Sequence, residues 1–401
     1  IKKIIACFAA VLDFNSQTSN YIYESFYRPF EKFTFLIVLF YIAYLTFHKF
    51  KDKIEKLSII IDKKIFIKAV ISFILLSLLI LPTFGLQSMG ATYGHFSSDP
   101  FELETGWVYR RIFVPAIAYY TQLTGPVGYY IISLILTFIL IYLVILFFER
   151  KSSRKISFIE QLSVLTSGSF IFNLMFPGYV EQFIVILALL TLIINKFELR
   201  LLVVGISLLT HETAAITILL PIILFLYPRK EFKIYLALIG IYLFSVLLNF
   251  GFNIMELIKV QTQIGEKSAI QLFLENPNYV LLGILFAYKL LWLSPILFLA
   301  QRIKAKVFNR DTLYVLFGIG VPIITIILGI DITRLVSLGG IALIYSYANL
   351  KVESKRLAGI LKIIAAINIF IPSASYLAVG ANLTSGLYRM LDILLGSPIA
   401  H

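Results

Sequence analysis

Apolar runs of membrane-spanning length recur along the whole chain and constrain its fold more than any other feature. A helix needs ~20 residues to cross the hydrocarbon core, and runs near that length lie at about 31–48, 65–86, 126–148, 158–175, 179–195, 232–250, 278–300, 312–328, 333–349 and 357–375. Only 14% of the 401 residues are charged, whereas soluble domains carry roughly 25%. The sequence therefore predicts an all-α polytopic membrane protein, one transmembrane domain over 1–401 with about ten or eleven spanning helices.

Short basic links separate the apolar runs and set the predicted orientation. Lys and Arg concentrate in short cytoplasmic loops, and the basic links here are Lys49 to Lys68, Arg150 to Lys155, Lys196 to Arg200, Arg229 to Lys233, Arg302 to Arg310 and Lys351 to Arg356. Topology thus explains the net charge of +13, so we expect membrane lipids and no nucleic acid as partners. The predicted location is the plasma membrane, with multiple passes.

The segments between these links are expected on the extracytoplasmic side. Residues 87–125 combine an outer loop with an interfacial amphipathic helix near 112–123, and the tail 376–401 contains an amphipathic part from Leu383 to Leu395. The stretch 253–274 is predicted as a further amphipathic helix that lies in the outer interface.

A broken helix pair is predicted over residues 199–227. Two apolar pieces there are separated by the polar run Thr210 to Thr213, and both flanks are cationic. With both flanks in the cytoplasm, the polar bend must point outward on two helices that are short for the ~30 Å hydrocarbon core. Broken membrane helices are a recognised pointer to a binding site at membrane depth.

The polar segment 93–115 interrupts the apolar pattern and contains many of the candidate site residues. Asp99, Glu102 and Glu104 are candidate catalytic carboxylates, because a positioned Asp or Glu can accept a proton from an attacking hydroxyl. Arginine offers a planar fork of donors that matches phosphate oxygens. The outward-facing candidates for binding a phosphate or a lipid-linked donor are Arg110, Arg111, His211, Glu212, Asp331 and Arg334.

Each candidate also has a purely structural interpretation. Asp99 precedes a proline and fits a turn, and the adjacent arginines fit interfacial anchors. Asp331 and Arg334 are spaced as an ion pair within one helical turn, and the polar pair at the bend fits an ordinary hydrogen-bonded pair. Glu181, which closely follows a Pro-Gly turn, is expected to be a solvated loop residue.

Three stretches together resemble the GT-C superfamily, the integral-membrane glycosyltransferases that use polyprenyl-phosphate-linked sugars. They are the acidic loop that leads into an interfacial helix (Asp99 to Glu104, then Tyr109 to Pro115), the bend Ser207 to Ala214, and Asp331 to Leu335. The resemblance implies transfer of a sugar, by inverting displacement, to a lipid, glycan or protein acceptor. It implies that Asp99, or else Glu102 or Glu104, acts as the base or orients the acceptor, and that basic residues hold the lipid phosphate.

The spacing of the acidic residues departs from the family pattern. Many members have adjacent acidic residues in the first outer loop, whereas the carboxylates here follow the pattern Asp-x-x-Glu-x-Glu, which leaves the identity of the base open. Carboxylate oxygens also suit hard divalent cations, so Mg or Mn as a cofactor stays open too.

Two other functions are compatible with the same topology. A membrane polysaccharide polymerase that acts on a lipid-diphosphate-linked glycan would depend more on Arg110, His211 and Arg334 than on Asp99. A transporter or lipid flippase would also use a broken helix, although no internally related halves are visible in the sequence.

Overall fold

A computed structural model describes residues 62–80, 86, 89–100, 111, 113–249, 263–264, 267–328, 331–371, 373–377 and 380–383. The chain divides into two compact units, Ile1–Lys64 and Ile65–His401. The features below lie in the second unit, apart from the first two residues of the first helix. The predicted span 31–48 and the last part of the predicted outer tail, 384–401, lie outside the described residues.

The described part of the chain is helical, as the sequence predicts. In chain order, its α-helices are α1 (Lys63–Ile80), α2 (Met89–Phe96), α3 (Phe113–Tyr120), α4 (Gly125–Lys151), α5 (Phe158–Leu165), α6 (Gly168–Met175), α7 (Glu181–Ile193), α8 (Phe197–Thr210), α9 (Glu212–Phe225), α10 (Arg229–Asn249), α11 (Ala269–Glu275), α12 (Pro277–Tyr288), α13 (Leu293–Lys304), α14 (Arg310–Ile324), α15 (Ile332–Ser337), α16 (Gly340–Ala348) and α17 (Lys355–Phe370). The 3₁₀ turns Lys289–Trp292 and Thr325–Leu328 follow α12 and α14.

Two helical stretches within the described residues are long and apolar enough to cross a membrane. They are α4 and the continuous run Pro277–Lys304, which joins α12 to α13. Helix α4 has a proline in its first turn, where the backbone N–H that proline lacks would have no partner within the helix. It ends with Arg150 and Lys151, whose positive charges interact favourably with the negative end of the helix dipole. It is buried along most of its length and packs against α2 and α7.

Some predicted spans are divided into shorter helices. The run 158–175 becomes α5 and α6, because Thr166 and Ser167 turn their hydroxyls back onto the carbonyls of Ser163 and Val164, each at 2.7 Å. Such local hydrogen bonds compete with a continuous helix. The run 333–349 becomes α15 and α16, which are separated at 338–339.

The prediction of an amphipathic helix over 253–274 is wrong for part of its described residues. Strand β1 (Gln263–Ile264) pairs antiparallel with β2 (Lys267–Ser268), and helix α11 begins only at Ala269. A second pair, β3 (Ala374–Leu377) with β4 (Gly380–Leu383), follows α17 and covers the first residues of the predicted outer tail.

Hydrogen bonds made by residues in or next to the basic links bring these links together. The backbone N–H of Ser153 donates to the carbonyl of Ala348, just before the link Lys351 to Arg356, at 3.0 Å. The amide of Gln301, next to the link Arg302 to Arg310, donates to the carbonyl of Lys351 at 2.8 Å. Arg310 donates to the carbonyl of Tyr227, just before the link Arg229 to Lys233, at 2.6 Å. These hydrogen bonds connect the neighbourhoods of four basic links in series.

Candidate functional site

The turn between α6 and α7 is held rigidly against two other helices. Gly178 has φ +95°, in the left-handed region that favours glycine, and a Cβ there would lie 2.9 Å from the Cα of Gly90 in α2. The backbone N–H of Gly178 donates to the hydroxyl of Ser133 in α4 at 2.7 Å. This turn positions Tyr179 and Glu181 at the start of α7.

Glu181 lies between a histidine and an arginine from distant parts of the chain. Its Oε1 atom is 3.6 Å from Nε2 of His211 and 3.6 Å from Nη1 of Arg334. Its side chain is only 15% exposed, so the expectation of a solvated loop residue is wrong. The helix starts at Glu181 itself, where the helix dipole favours a negative charge.

Arg334 is surrounded by two carboxylates and an aromatic ring. Its Nε atom is 3.5 Å from Oδ2 of Asp331, and its guanidinium lies 4.6 Å from the centre of the Tyr179 ring. Asp331 also caps α15 by accepting the backbone N–H of Arg334 at 3.1 Å. The predicted ion pair within one turn is present, and the same arginine also approaches Glu181.

His211 forms the break between α8 and α9. Its backbone is extended (φ −166°), its N–H donates to the Ser207 carbonyl at 3.2 Å, and its carbonyl accepts the N–H of Ala215 at 2.8 Å. The imidazole lies beside Glu181, with Nε2 3.6 Å from the carboxylate oxygen, so the break brings a hydrogen-bonding side chain to the start of α7.

Arg111 lies near enough to the same histidine to interact with it electrostatically. Its side chain is buried, and Nη1 donates to the hydroxyl of Tyr93 at 3.3 Å. The Tyr93 ring stacks on that of Tyr129 in α4 with 6.5 Å between centres. We call Arg111, Glu181, His211, Asp331 and Arg334 the arginine–histidine cluster. Four of its five members are among the residues proposed from the sequence as phosphate or donor ligands.

The candidate catalytic carboxylates are not members of the arginine–histidine cluster. Asp99 is exposed, in the turn after α2, and its backbone N–H donates to the carbonyl of Phe96 at 3.2 Å. Glu102, Glu104 and Arg110 lie outside the described residues, and of Glu212 only the backbone, at the start of α9, is described. Within the described residues, no three His, Cys, Asp or Glu side chains are grouped as metal ligands would be.

Sequence reasoning missed Glu181, Tyr93 and Tyr179. The available signal for Glu181 was an acidic residue at the outer end of an apolar run, soon after a Pro-Gly pair that ends the preceding helix. Beside Glu181 and Arg334 is a small cavity of about 30 Å³, also lined by Ser169 and Tyr179. A cavity of this size has room for a water molecule.

No protein-family model, curated protein or solved structure matches this chain.

Proposed function

We propose that the chain is a multi-pass membrane glycosyltransferase of the GT-C type that uses a polyprenyl-phosphate-linked sugar at the extracytoplasmic face. The observation that carries the proposal is the arginine–histidine cluster. Two arginines lie near one histidine there, beside a carboxylate, at the break between two apolar helices.

A lipid bilayer around the helices accounts for the outer surface of the bundle. Ile241 of α10, Ile324 of α14 and Ile363 of α17 are 68%, 65% and 61% exposed, and they belong to a larger set of exposed aliphatic side chains. Extended apolar surface of this kind marks contact with lipid or with another protein. The hydrogen bonds in and next to the basic links support a common cytoplasmic end, since Lys and Arg concentrate in short cytoplasmic loops.

The cluster suits the phosphate of a lipid-linked donor. Arg111 and Arg334 remain charged at any relevant pH, and their guanidinium forks match phosphate oxygens. The imidazole of His211 can donate an N–H to the same phosphate. When the bond from the anomeric carbon to the phosphate oxygen breaks, negative charge builds on that oxygen, and donors that are already in place stabilise it.

Asp99 is the proposed base in this scheme, with Glu102 and Glu104 as the alternatives. The oxygen of the acceptor hydroxyl attacks the anomeric carbon, its proton passes to the carboxylate, and the lipid phosphate leaves with the bonding electrons. Inversion follows from attack on the face opposite the phosphate. The exposure of Asp99 leaves it accessible to an acceptor arriving from the aqueous side.

The test is sugar transfer by the purified protein in nanodiscs, with a panel of radiolabelled polyprenyl-phosphate sugars. We expect Asp99→Asn to abolish transfer and Glu353→Gln, which changes an exposed carboxylate in a basic link, to leave it unchanged. Chelation in the same assay tests the Mg or Mn requirement. Movement of the lipid-linked sugar without bond cleavage would instead favour a transporter or flippase, and an Asp99→Asn protein as active as the parent would remove Asp99 as the base.

A polymerase acting on a lipid-diphosphate-linked glycan is the second candidate. The observation that favours it is the presence of two arginines, Arg111 and Arg334, whose charges both act on His211, because two cations suit two linked phosphates. Loss of activity in Arg334→Ala together with full activity in Asp99→Asn would favour this candidate over the first.

A further inference from the structure

Glu181 occupies the position in the cluster that an anionic ligand would take. A single oxygen of its carboxylate approaches both Nε2 of His211 and Nη1 of Arg334, the groups that the proposed function assigns to the donor phosphate. Both distances are 3.6 Å, which is longer than a hydrogen bond. The carboxylate therefore neutralises the arginine at a distance that leaves it replaceable.

The charges around Arg334 limit how a phosphate can bind. The guanidinium already has Glu181 at 3.6 Å and Asp331 at 3.5 Å, so an incoming phosphate would meet two negative charges around one positive charge. Repulsion between like charges a few ångströms apart costs several kcal/mol at the dielectric typical of a protein surface. One of the two carboxylates has to move away before the phosphate can contact Arg334 closely.

Asp331 is the less mobile of the two carboxylates. Its other oxygen accepts the backbone N–H of Arg334 at 3.1 Å as the N-cap of α15, and losing such a cap costs about 1 kcal/mol. Glu181 has a longer side chain, and the cavity of about 30 Å³ lies beside it. Displacement of Glu181 is thus the easier movement.

The backbone that carries Glu181 is fixed, so the movement is a rotation of the side chain. The next residue, Gln182, donates from Nε2 to the hydroxyl of Ser133 at 2.9 Å and accepts the hydroxyl of Thr137 at 2.9 Å. All three side chains are buried, and both partners belong to α4. The start of α7 therefore stays in place when the carboxylate turns.

We propose that Glu181 is a place-holder for the substrate phosphate: it covers Arg334 and His211 in the unliganded protein and rotates away when the phosphate of the donor binds. This inference rests on the phosphate site of the proposed function. It makes Glu181 a positioning residue that lowers the affinity of the site for weakly binding anions, because each anion has to displace the carboxylate before it reaches the arginine.

The test is calorimetric titration of the full-length protein in detergent with a short-chain prenyl monophosphate. We expect Glu181→Gln to bind the probe about tenfold more tightly than the parent, since it removes one negative charge from the site. Glu181→Asp, whose shorter side chain moves the carboxylate away from both donors, is expected to bind more tightly by a smaller factor. Glu198→Gln, at an exposed residue of α8, is the matched control and should bind as the parent does.

The inference depends on whether Glu181→Gln binds the prenyl monophosphate more tightly or less tightly than the parent. Equal or weaker binding by Glu181→Gln, while Arg334→Ala binds less tightly than the parent, would overturn the place-holder and leave the phosphate site intact. Arg334→Ala binding as tightly as the parent would reject the phosphate site and the place-holder together. If Glu181→Gln does not fold, Glu181→Asp takes its place: tighter binding than the parent supports the place-holder, and equal or weaker binding overturns it.

Discussion

Arg334→Ala is the substitution with the most clearly defined consequence. It removes a guanidinium that lies 3.6 Å from Glu181 and 4.6 Å from the centre of the Tyr179 ring. Hydrogen bonds to charged groups contribute about 1.5–3 kcal/mol each. Since the side chain is 26% exposed and shares its charge with two carboxylates, we expect the loss of one such bond to phosphate, or roughly a 10- to 150-fold fall in kcat/KM.

The division of this loss between kcat and KM carries further information. Negative charge on the departing phosphate oxygen is greatest in the transition state, so the arginine should stabilise that state more than the bound donor. We therefore expect kcat to fall more than KM rises, measured as initial rates of sugar transfer in nanodiscs.

Arg302→Ala is the matched control for Arg334→Ala. Arg302 also stacks on an aromatic ring, 5.0 Å from the centre of Phe298, but it belongs to a basic link. Its removal should change kcat/KM less than about twofold, since surface charges far from a site contribute little. Equal losses in the two variants, or no loss in Arg334→Ala, would refute the assignment of Arg334 to the phosphate.

Further predictions concern stability, measured by thermal unfolding in detergent. Gly178→Ala should destabilise the protein by about 1–3 kcal/mol, because of its positive φ and its contact with Gly90; wild-type stability would contradict the geometry of the turn. Glu160→Gln should cost about 3 kcal/mol, because it breaks a 2.8 Å ion pair with Arg154 at a carboxylate that is 1% exposed; a loss under about 0.5 kcal/mol would contradict this.

Hydropathy predicted the positions of several helices and the break at His211, but not the breaks inside runs that it treated as single spans. The run 126–148 corresponds to α4 and the run 179–195 to α7, each within a few residues of its ends. The break at Thr166 and Ser167 depends on hydroxyls that bond back to the preceding turn, and an apolar average over a run does not register such bonds.

The break at Lys289 was also not predicted from the sequence. It lies inside the apolar run 278–300, has φ +53°, and donates from Nζ to the carbonyl of Ile371, just after α17, at 2.9 Å. The neighbouring N–H of Leu290 donates to the side chain of Asn368 at 2.9 Å. A lysine within an apolar run indicates such a break, because a charge there needs polar partners.

The part of the site that could be predicted from the sequence is the part whose residues topology places at the same, outer end of the helices. The bend at His211 and the start of α15 were both assigned to the outer side, and their side chains do meet through Glu181. Glu181 itself was not predictable as a contact residue, because its role depends on where α7 begins and which way its first turn faces. Proximity in three dimensions, rather than residue type, distinguishes it from a solvated glutamate.

Photo-crosslinking with a diazirine-bearing polyprenyl-phosphate sugar tests the central claim most directly. After irradiation in nanodiscs and digestion, mass spectrometry identifies the labelled peptides. We predict labelling around 176–183 and 331–337, with loss of the label when unlabelled polyprenyl phosphate competes or when Arg334 is replaced by Ala. Labelling confined to the basic links, or labelling that neither treatment reduces, would contradict a lipid-phosphate site at the arginine–histidine cluster.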